Sequence, residues 1–275
     1  MQEELDQFKR NCVWSLVSRP LNHPIVGTKW VFRNKVDEQG NVVRNKARLV
    51  AQGYNQEERI DYVETFAPVA RIEAIRLLLA FACFMNFKLY QMDVKSAFLN
   101  GFIQEEVYVE QPPGFEDFEK PDHVLKLHKA LYELKQAPRA WYERLSKFLV
   151  EKGYVRGNID TTLFIKKYLN DLIVFQIYVD DIVFCVTNEA LCKNFAKEMQ
   201  GEFDMSMMGE LKYFLGLQIK QSEKGIFINQ ERYIQDMLKK FDMLKLKPIC
   251  TLMSPSTKLD ADKKGKVLIK SSIEV

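Results

Sequence analysis

Two adjacent acidic residues, Asp180 and Asp181, lie between two strongly apolar runs in the segment IYVDDIVFCV. Apolar runs of this kind are typical of buried β-strands, so the acids are predicted to occupy the tip of a hairpin. Asp93 ends another strand-like segment, LYQMDV. If the two strands are neighbours, three carboxylates meet at one sheet edge, where their mutual repulsion favours a bound cation.

A cluster that offers only oxygen ligands suits Mg²⁺, which binds carboxylates together with water and substrate phosphates. Two such ions activate a hydroxyl nucleophile and stabilise a leaving pyrophosphate. Taken alone, however, an Asp-Asp pair is more often a solvated turn, in which case Asp93 is an exposed strand end. The residues by themselves leave both a metal site and an ordinary polar turn open.

The composition is that of a folded protein, with 275 residues of which 47% are hydrophobic and 28% charged. These proportions exclude intrinsic disorder for most of the chain. The 5 Cys are scattered singly and only 3 His are present, which argues against a zinc site and indicates a reducing, intracellular compartment. The net charge of +3 is too small to identify a partner. The longest apolar run, Leu77 to Met85, is too short to span a membrane, so no membrane association is predicted.

The elements that must position the acids alternate between helices and hairpins. Residues 1–20 predict an amphipathic helix followed by a loop, and residues 105–122 predict a loop rich in proline. The other predicted elements are a basic hairpin over 28–54 with its turn at 37–41, a helix with Ile72, Ile75, Leu78, Leu79 and Ala82 on one face, a helix from Pro138 to Gly153, a strand pair around Asn170-Asp171, a helix capped by Asn188, a hairpin around Lys224-Gly225 and a helix over 232–241. This order predicts an α+β fold with a mostly antiparallel sheet backed by helices.

Several longer segments resemble the polymerases of copia-type retrotransposons, and YVDD resembles the catalytic hairpin of reverse transcriptases. The segments are KARLVAQGY (46–54), ETFAPVARIEAIRLLLA (64–80), YQMDVKSAFLNG (90–101), VYVEQPPGF (107–115), LKQAPRAWYERL (134–145) and GELKYFLGLQI (209–219). Their order is the family's order. The resemblance covers residues 28–255 and implies a right-hand polymerase with fingers, a palm and a truncated thumb.

The resemblance implies a role for particular residues. Asp93, Asp180 and Asp181 correspond to the catalytic carboxylates, and the Val94 carbonyl to a further ligand of two Mg²⁺ ions, for which Mn²⁺ can substitute. The implied nucleotide-binding residues are Lys46, Arg48, Phe98 and Gln136, with Phe98 as the steric gate under the sugar. Leu215 and Gly216 correspond to the tip of the primer grip. Without the resemblance, Lys46 and Arg48 are equally typical of a solvated hairpin face. Phe98 is then more typical of a core aromatic, Gln136 of a loop residue before a helix, and Leu215-Gly216 of an ordinary hairpin strand with a bulge at Gly216.

The implied activity is RNA-directed DNA synthesis, with an RNA or DNA template, a primer and deoxynucleoside triphosphates as partners. Other segments of the same polyprotein are further partners, and the implied location is cytoplasmic, in a virus-like particle, or nuclear. The expected organisation is an N-terminal helix and linker (1–24), fingers and palm (25–220), the rest of the primer-grip hairpin with the start of the thumb (221–253) and a disordered tail (254–275), without RNase H. Basic residues between Val124 and Lys152 are candidates for contact with the nucleic-acid backbone.

Three places depart from the family pattern. Glu133 replaces a glycine that the turn needs if its φ is positive, Ser206 replaces a lysine, and the FCVT segment after YVDD replaces a version with smaller residues. Glu133 and Ser206 favour an alternative hypothesis, in which the chain is a catalytically silent remnant, a fragment or decayed copy that still binds nucleic acid. A third possibility, another palm-type nucleotidyl transferase such as a cyclase, does not account for the copia-like segments.

Overall fold

The computed structural model describes residues 1–36 and 41–246 of the chain. Residues 37–40 of the predicted turn and the whole predicted tail at 254–275 lie outside the described residues. Residues 1–229 form one compact unit, and the residues from 230 onward form a second unit, described as far as residue 246.

The described residues form five α-helices and fifteen β-strands. The helices are α1 (Gln2–Arg10), α2 (Ile72–Phe84), α3 (Ala137–Glu151), α4 (Glu189–Glu202) and α5 (Glu231–Lys240). The strands are β1 (Trp14–Ser18), β2 (Ile25–Val26), β3 (Thr28–Val36), β4 (Val42–Ala51), β5 (Lys88–Val94), β6 (Tyr108–Val109), β7 (His123–Leu127), β8 (Val155–Arg156), β9 (Leu163–Lys167), β10 (Leu172–Tyr178), β11 (Asp181–Val186), β12 (Met205–Glu210), β13 (Tyr213–Phe214), β14 (Leu217–Ser222) and β15 (Gly225–Asn229).

A six-stranded sheet forms the centre of the first unit, with the strand order β12-β5-β11-β10-β9-β8 and antiparallel pairing throughout. Successive side chains of β11 point to opposite faces. Ile182 and Phe184 join a core with residues of α3 and α4, whereas Val183 and Cys185 join a core with residues of α2. This helix-backed antiparallel sheet confirms the predicted α+β class.

A second part of the unit contains the long β3–β4 hairpin and a four-stranded sheet in the order β1-β7-β6-β2. The hairpin confirms the one predicted over 28–54. Its inner end is buried, since Leu49, Val50 and Ala51 are at most 2% exposed. These residues share a core with Leu5 and Phe8 of α1, so the N-terminal helix is packed against the base of the hairpin.

Six strands were not predicted, namely β1, β2, β6, β7, β8 and β12. The loop expected between the first helix and Pro20 contains β1, the loop expected over 105–122 contains β6, and β7 follows it directly. Strand β1 pairs with β7, more than 100 residues away, from Trp14 opposite Leu127 to Ser18 opposite His123. Such distant pairing leaves only a weak local pattern, because short strands acquire their stability from cross-strand neighbours.

The start of α4 and the end of α3 follow the local signals of the sequence. The Asn188 side chain accepts a hydrogen bond from the Leu191 backbone N–H at 2.9 Å, which caps α4 as predicted. Gly153 follows α3 with a φ of +83°, as expected of a helix stop. Ile72 was expected on the buried face of α2 but is 37% exposed, because it is the first residue of the helix.

The last described elements are hairpins and one helix. Strands β14 and β15 form the hairpin predicted around Lys224-Gly225, and β13 and β14 form a second hairpin. Helix α5, in the second unit, confirms the predicted helix over 232–241. Over residues 1–36 and 41–246, no helix combines the length and apolar character needed to cross a membrane.

Candidate active site

The pairing of β5 with β11 brings the predicted acids together. Asp93 lies directly opposite Asp181 in the register, and directly opposite residues on adjacent antiparallel strands have Cβ atoms about 5 Å apart. The Val94 backbone N–H donates to the Asp180 carbonyl oxygen at 3.0 Å. The predicted convergence of the three acids at one sheet edge is therefore confirmed.

The turn that carries Asp180 has a strained backbone and is held by a hydrogen bond from helix α3. Val179 has a φ of +55°, a conformation that is unfavourable for a β-branched residue. The indole N–H of Trp141, on α3, donates to the Val179 carbonyl oxygen at 2.7 Å. Because Trp141 is 1% exposed and packed in the core, this hydrogen bond fixes the turn to a rigid helix.

The three carboxylates differ in environment. Asp180 is exposed, whereas Asp93 and Asp181 are half-buried. Burial raises the pKa of Asp181, and the charges of Asp180 and Asp93 raise it further. The Gln91 side-chain amide donates to Asp181 Oδ1 at 2.8 Å, which opposes that rise in pKa. The site therefore concentrates negative charge that a cation would neutralise.

Replacing Asp181 with Asn is expected to raise the free energy of unfolding by about 1 kcal/mol in the presence of EDTA, since it removes a crowded, half-buried charge. The Asn carbonyl oxygen can still accept the hydrogen bond from Gln91. Because the pKa of Asp181 is raised in the folded state, the folded protein binds this proton more tightly than the unfolded chain does. The charge therefore destabilises the fold only above the ordinary Asp pKa, and the gain should vanish at lower pH. Denaturant unfolding at neutral and acidic pH measures both effects, and a destabilised D181N at neutral pH would contradict this explanation.

A cavity of about 570 Å³ opens beside the turn and unites most of the predicted site residues. Its walls include the acids Asp93 and Asp180, the basic residues Lys46 and Arg48 of β4, and the aromatic ring of Phe98. Val94 also lines it. Phe98 lies in a 3₁₀ turn over residues 97–100, directly after β5. The lining of the cavity thus combines carboxylates, cationic side chains and an aromatic ring.

Helix α1 forms another wall of this cavity, which the sequence did not indicate. The helix contributes Glu4 and Gln7, and the Ser96 hydroxyl donates to Gln7 Oε1 at 2.6 Å. Burial raises the pKa of Glu4, while the charges of Lys46 and Arg48 oppose the rise. Among the described residues, no hydrogen-bond partner reaches the buried Glu4 Oε1. The only signal in the sequence was the acidic first turn of an amphipathic helix, which is common at helix N-termini.

Gln136 does not line the cavity. It is 2% exposed, and its side chain accepts a hydrogen bond from Gln56 Nε2 at 3.2 Å and donates to the Asp61 carbonyl oxygen at 3.3 Å. The side chain therefore ties the start of α3 to the loop after β4. Its contact with a nucleotide stays a prediction that would need this network to open.

Glu133 adopts the left-handed backbone conformation, with a φ of +66°, as expected at a position where the family usually has glycine. Its carboxylate forms an exposed ion pair with Lys29 at 3.4 Å. A left-handed conformation costs a residue other than glycine about 1 kcal/mol, and an exposed ion pair recovers little of that. Glu133 is accordingly a strained residue near the base of the hairpin.

Replacing Glu133 with Gly is expected to raise the free energy of unfolding by about 1 kcal/mol through relief of this strain. The matched control, Glu133→Ala, loses the same ion pair but keeps a Cβ atom, so no gain is expected. Chemical denaturation of the three proteins measures the difference. Equal stabilisation by Ala and Gly would show that the carboxylate, not the backbone, is responsible.

Leu215 and Gly216 connect β13 to β14, and both have positive φ values, 48° and 79°. They form the tip of a tight hairpin, as predicted, but neither lines the cavity described above. Leu215 packs against the core that includes residues of α2. Its assignment to a primer grip stays a prediction.

The donors at the cavity suit a hard divalent ion. Asp93 and Asp180 supply carboxylates, and Lys46 and Arg48 supply cations for an anionic partner. In the part of the chain that the structure describes, no group of three or more Asp, Glu, His or Cys side chains is arranged so that it could hold a metal ion by itself. Mg²⁺ does not require a complete set of protein ligands, because it is usually bound by one or two carboxylates together with substrate phosphates and water.

The reverse transcriptase family, described as RNA-dependent DNA polymerases, matches residues 11–255 of this chain. The chain belongs to this family. Its relatives include retrovirus-related Pol polyproteins of transposons RE1 and RE2 from Arabidopsis thaliana, 42% and 41% identical, and of transposon TNT 1-94 from Nicotiana tabacum, 36% identical. Each similarity covers 94% of this reverse transcriptase chain, which confirms the resemblance to copia-type elements.

The reverse transcriptase chain spans about a fifth of the length of these polyproteins, between 18% and 20%. Among solved structures, a foamy viral protease–reverse transcriptase in complex with double-stranded DNA is similar over 86% of this chain and 36% of that one. The two share 13% identity with a TM-score of 0.46.

Proposed function

We propose that this reverse transcriptase domain extends a primer along an RNA or DNA template with deoxynucleoside triphosphates, using two Mg²⁺ ions. The observation that carries the proposal is that one cavity is lined both by Asp93 and Asp180 and by the basic side chains of Lys46 and Arg48. Carboxylates and cations in one cavity fit a metal–triphosphate complex, which presents a divalent ion and an anionic chain of phosphates.

Each wall of the cavity has a task in this reaction. Asp93 and Asp180, with the Val94 carbonyl, would hold the ions, and Asp181 adds charge from the neighbouring strand. Lys46 and Arg48 would bind the triphosphate, the guanidinium through paired hydrogen bonds. Phe98 would lie under the sugar, where its ring leaves no room for a 2′-hydroxyl. In the architecture we propose, β3 and β4 belong to the fingers and the six-stranded sheet to the palm.

The reaction forms a bond between the primer 3′-oxygen and the α-phosphorus, breaks the bond from that phosphorus to the β-phosphate bridge, and releases pyrophosphate and a proton. Bound Mg²⁺ would supply activation of the 3′-hydroxyl and charge neutralisation at the leaving pyrophosphate. The protein's own contribution is to fix the substrate. The strained turn at Val179, fixed by Trp141, sets the position of Asp180 relative to β5, so little reorganisation is needed when substrate binds.

A second function, silent binding of nucleic acid, is supported by Glu4. Its carboxylate interacts with the charges of Lys46 and Arg48, which would bind the triphosphate. Helix α1 would therefore compete with the triphosphate for these cations. A silent remnant would bind an RNA–DNA hybrid with an affinity that falls steeply with salt, since phosphate contacts release counterions, but would not add nucleotides.

Primer extension by the purified protein separates these functions. With oligo(dT) annealed to poly(rA), dTTP and Mg²⁺, we expect products longer than the primer, and none when EDTA replaces Mg²⁺. A gel-shift titration of the same hybrid runs in parallel. Salt-dependent binding without extension, in either Mg²⁺ or Mn²⁺, would overturn the polymerase and establish the silent binder.

A further inference from the structure

The buried side chain of Tyr132 contacts Arg48 and Phe98, two residues that would bind the nucleotide in the proposed function. Tyr132 precedes the strained Glu133, and its carbonyl oxygen accepts a hydrogen bond from the Ala51 backbone N–H at 2.9 Å. It is 7% exposed, and it lines the same cavity as Asp93 and Asp180. The backbone contact ties it to the buried end of β4.

The first contact is with Arg48. The guanidinium carbon lies 4.2 Å from the centroid of the Tyr132 ring, within the range of a cation–π interaction. Arg48 is half-buried, so this contact is less screened by water than one on an open surface. A guanidinium that lies against a ring keeps its plane fixed while its N–H groups stay available at the edges.

The second contact is with Phe98. The two ring centroids lie 5.6 Å apart with an interplanar angle of 64°, which is the favourable edge-to-face arrangement. The contact restricts the rotamer of Phe98 from the side of the turn before α3. Tyr132 therefore connects the β3–β4 hairpin with the 3₁₀ turn that carries Phe98.

The Tyr132 hydroxyl is secondary to these ring contacts. Burial raises its pKa, and a hydrogen bond with the Ser96 side chain and the charge of Arg48 partly offset the rise. The hydroxyl therefore stays neutral near neutral pH and carries no charge toward a substrate. The contacts that reach Arg48 and Phe98 belong to the aromatic ring, so the ring alone should be sufficient for the role.

We infer that Tyr132 is a positioning residue for nucleotide selection: its ring holds the Arg48 guanidinium and the Phe98 ring in the arrangement that an incoming deoxynucleoside triphosphate meets. The inference rests on the proposed polymerase function. It adds to that function a residue that need not touch the nucleotide itself. It also explains how one side chain couples triphosphate affinity to sugar discrimination.

Two substitutions of Tyr132 test the inference by steady-state primer extension. Tyr132→Leu removes the ring and keeps apolar bulk, and we expect KM for the deoxynucleotide to rise about 5- to 30-fold with kcat nearly unchanged. We also expect the preference for dNTP over the matching rNTP to fall at least about fivefold. Tyr132→Phe keeps the ring, so near wild-type values are expected. Wild-type KM and sugar preference in Y132L, or an equal loss in Y132F, would overturn the inference.

Two further variants separate positioning from stability. Phe148→Leu removes a buried ring from the core that contains residues of α3 and α4. This ring packs edge-on against Phe203 and does not line the cavity. The substitution should therefore lower stability without changing KM or sugar preference. Arg48→Lys keeps the charge but loses the flat contact with the ring, and it should raise KM even if Y132L does not fold. An unchanged KM in R48K would overturn the inference together with the proposed role of Arg48 in triphosphate binding. A wild-type protein that extends no primer would overturn the proposed function, and the inference with it, whereas active wild-type protein beside an unaffected Y132L overturns the inference alone.

Discussion

Replacing Asp180 with Asn is expected to reduce primer extension at least about 10³-fold, equivalent to about 4 kcal/mol of transition-state stabilisation. The side chain is exposed at the tip of the β10–β11 hairpin and lines the cavity, so its charge is available to a metal–substrate complex. Asn keeps the size of the side chain but removes the anionic oxygen that a hard divalent ion prefers. Single-turnover extension on poly(rA)/oligo(dT) measures the effect on chemistry.

Asp204→Asn is the matched control for this variant. Asp204 also lines the cavity and is exposed, but its carboxylate is paired with Lys95 at 3.1 Å. We expect D204N to extend primers within a few-fold of wild type. Both variants should unfold within about 1 kcal/mol of wild type, since exposed charges contribute little to stability. Extension by D180N at more than a tenth of the wild-type rate would contradict the assignment of Asp180.

Replacing Phe98 with Val is expected to change the selection between deoxyribose and ribose nucleotides. Discrimination against ribonucleotides should fall about 100-fold, because shortening the side chain opens space on the cavity side of the 3₁₀ turn. The gain should lie in kcat/KM for the rNTP, while that for the dNTP falls only modestly. Competitive incorporation of ATP and dATP opposite the same template base measures the ratio.

Phe102→Val serves as the control for Phe98. Phe102 is an aromatic residue four positions further along, 57% exposed and outside the cavity lining. Its ring lies beside Lys129 and Arg144, at 5.3 Å and 5.8 Å. F102V should keep wild-type discrimination. Equal loss of discrimination in both variants would indicate a general loosening of the fold and would argue against a gate at Phe98.

The sequence was sufficient to locate the acids and the strands that carry them. The apolar runs on either side of Asp180-Asp181 have a local pattern, and the two runs are hydrogen-bonded neighbours, so the hairpin could be predicted directly. The same holds for β3 and β4 and for the cap at Asn188. The meeting of Asp93 with Asp181 needed a strand pairing across about 90 residues, which the acids themselves suggested through their chemistry.

Other parts of the site depend on contacts that no local pattern encodes. Helix α1 was predicted, but its place as a wall of the cavity depends on packing of Leu5 and Phe8 beneath the hairpin. Tyr132 was not singled out because an isolated tyrosine is typical of many cores. The resemblance identified the position of Gln136 but not the direction of its side chain, which the partners Gln56 and Asp61 determine.

The most direct test of the metal-dependent site is a crystal structure of the protein with a dideoxy-terminated primer–template, the next dNTP and Mn²⁺, with Mn²⁺ located by its anomalous scattering. We expect Mn²⁺ bound to the carboxylates of Asp93 and Asp180, with the triphosphate between them and the side chains of Lys46 and Arg48. An ordered nucleotide whose Mn²⁺ lies away from both carboxylates would contradict it.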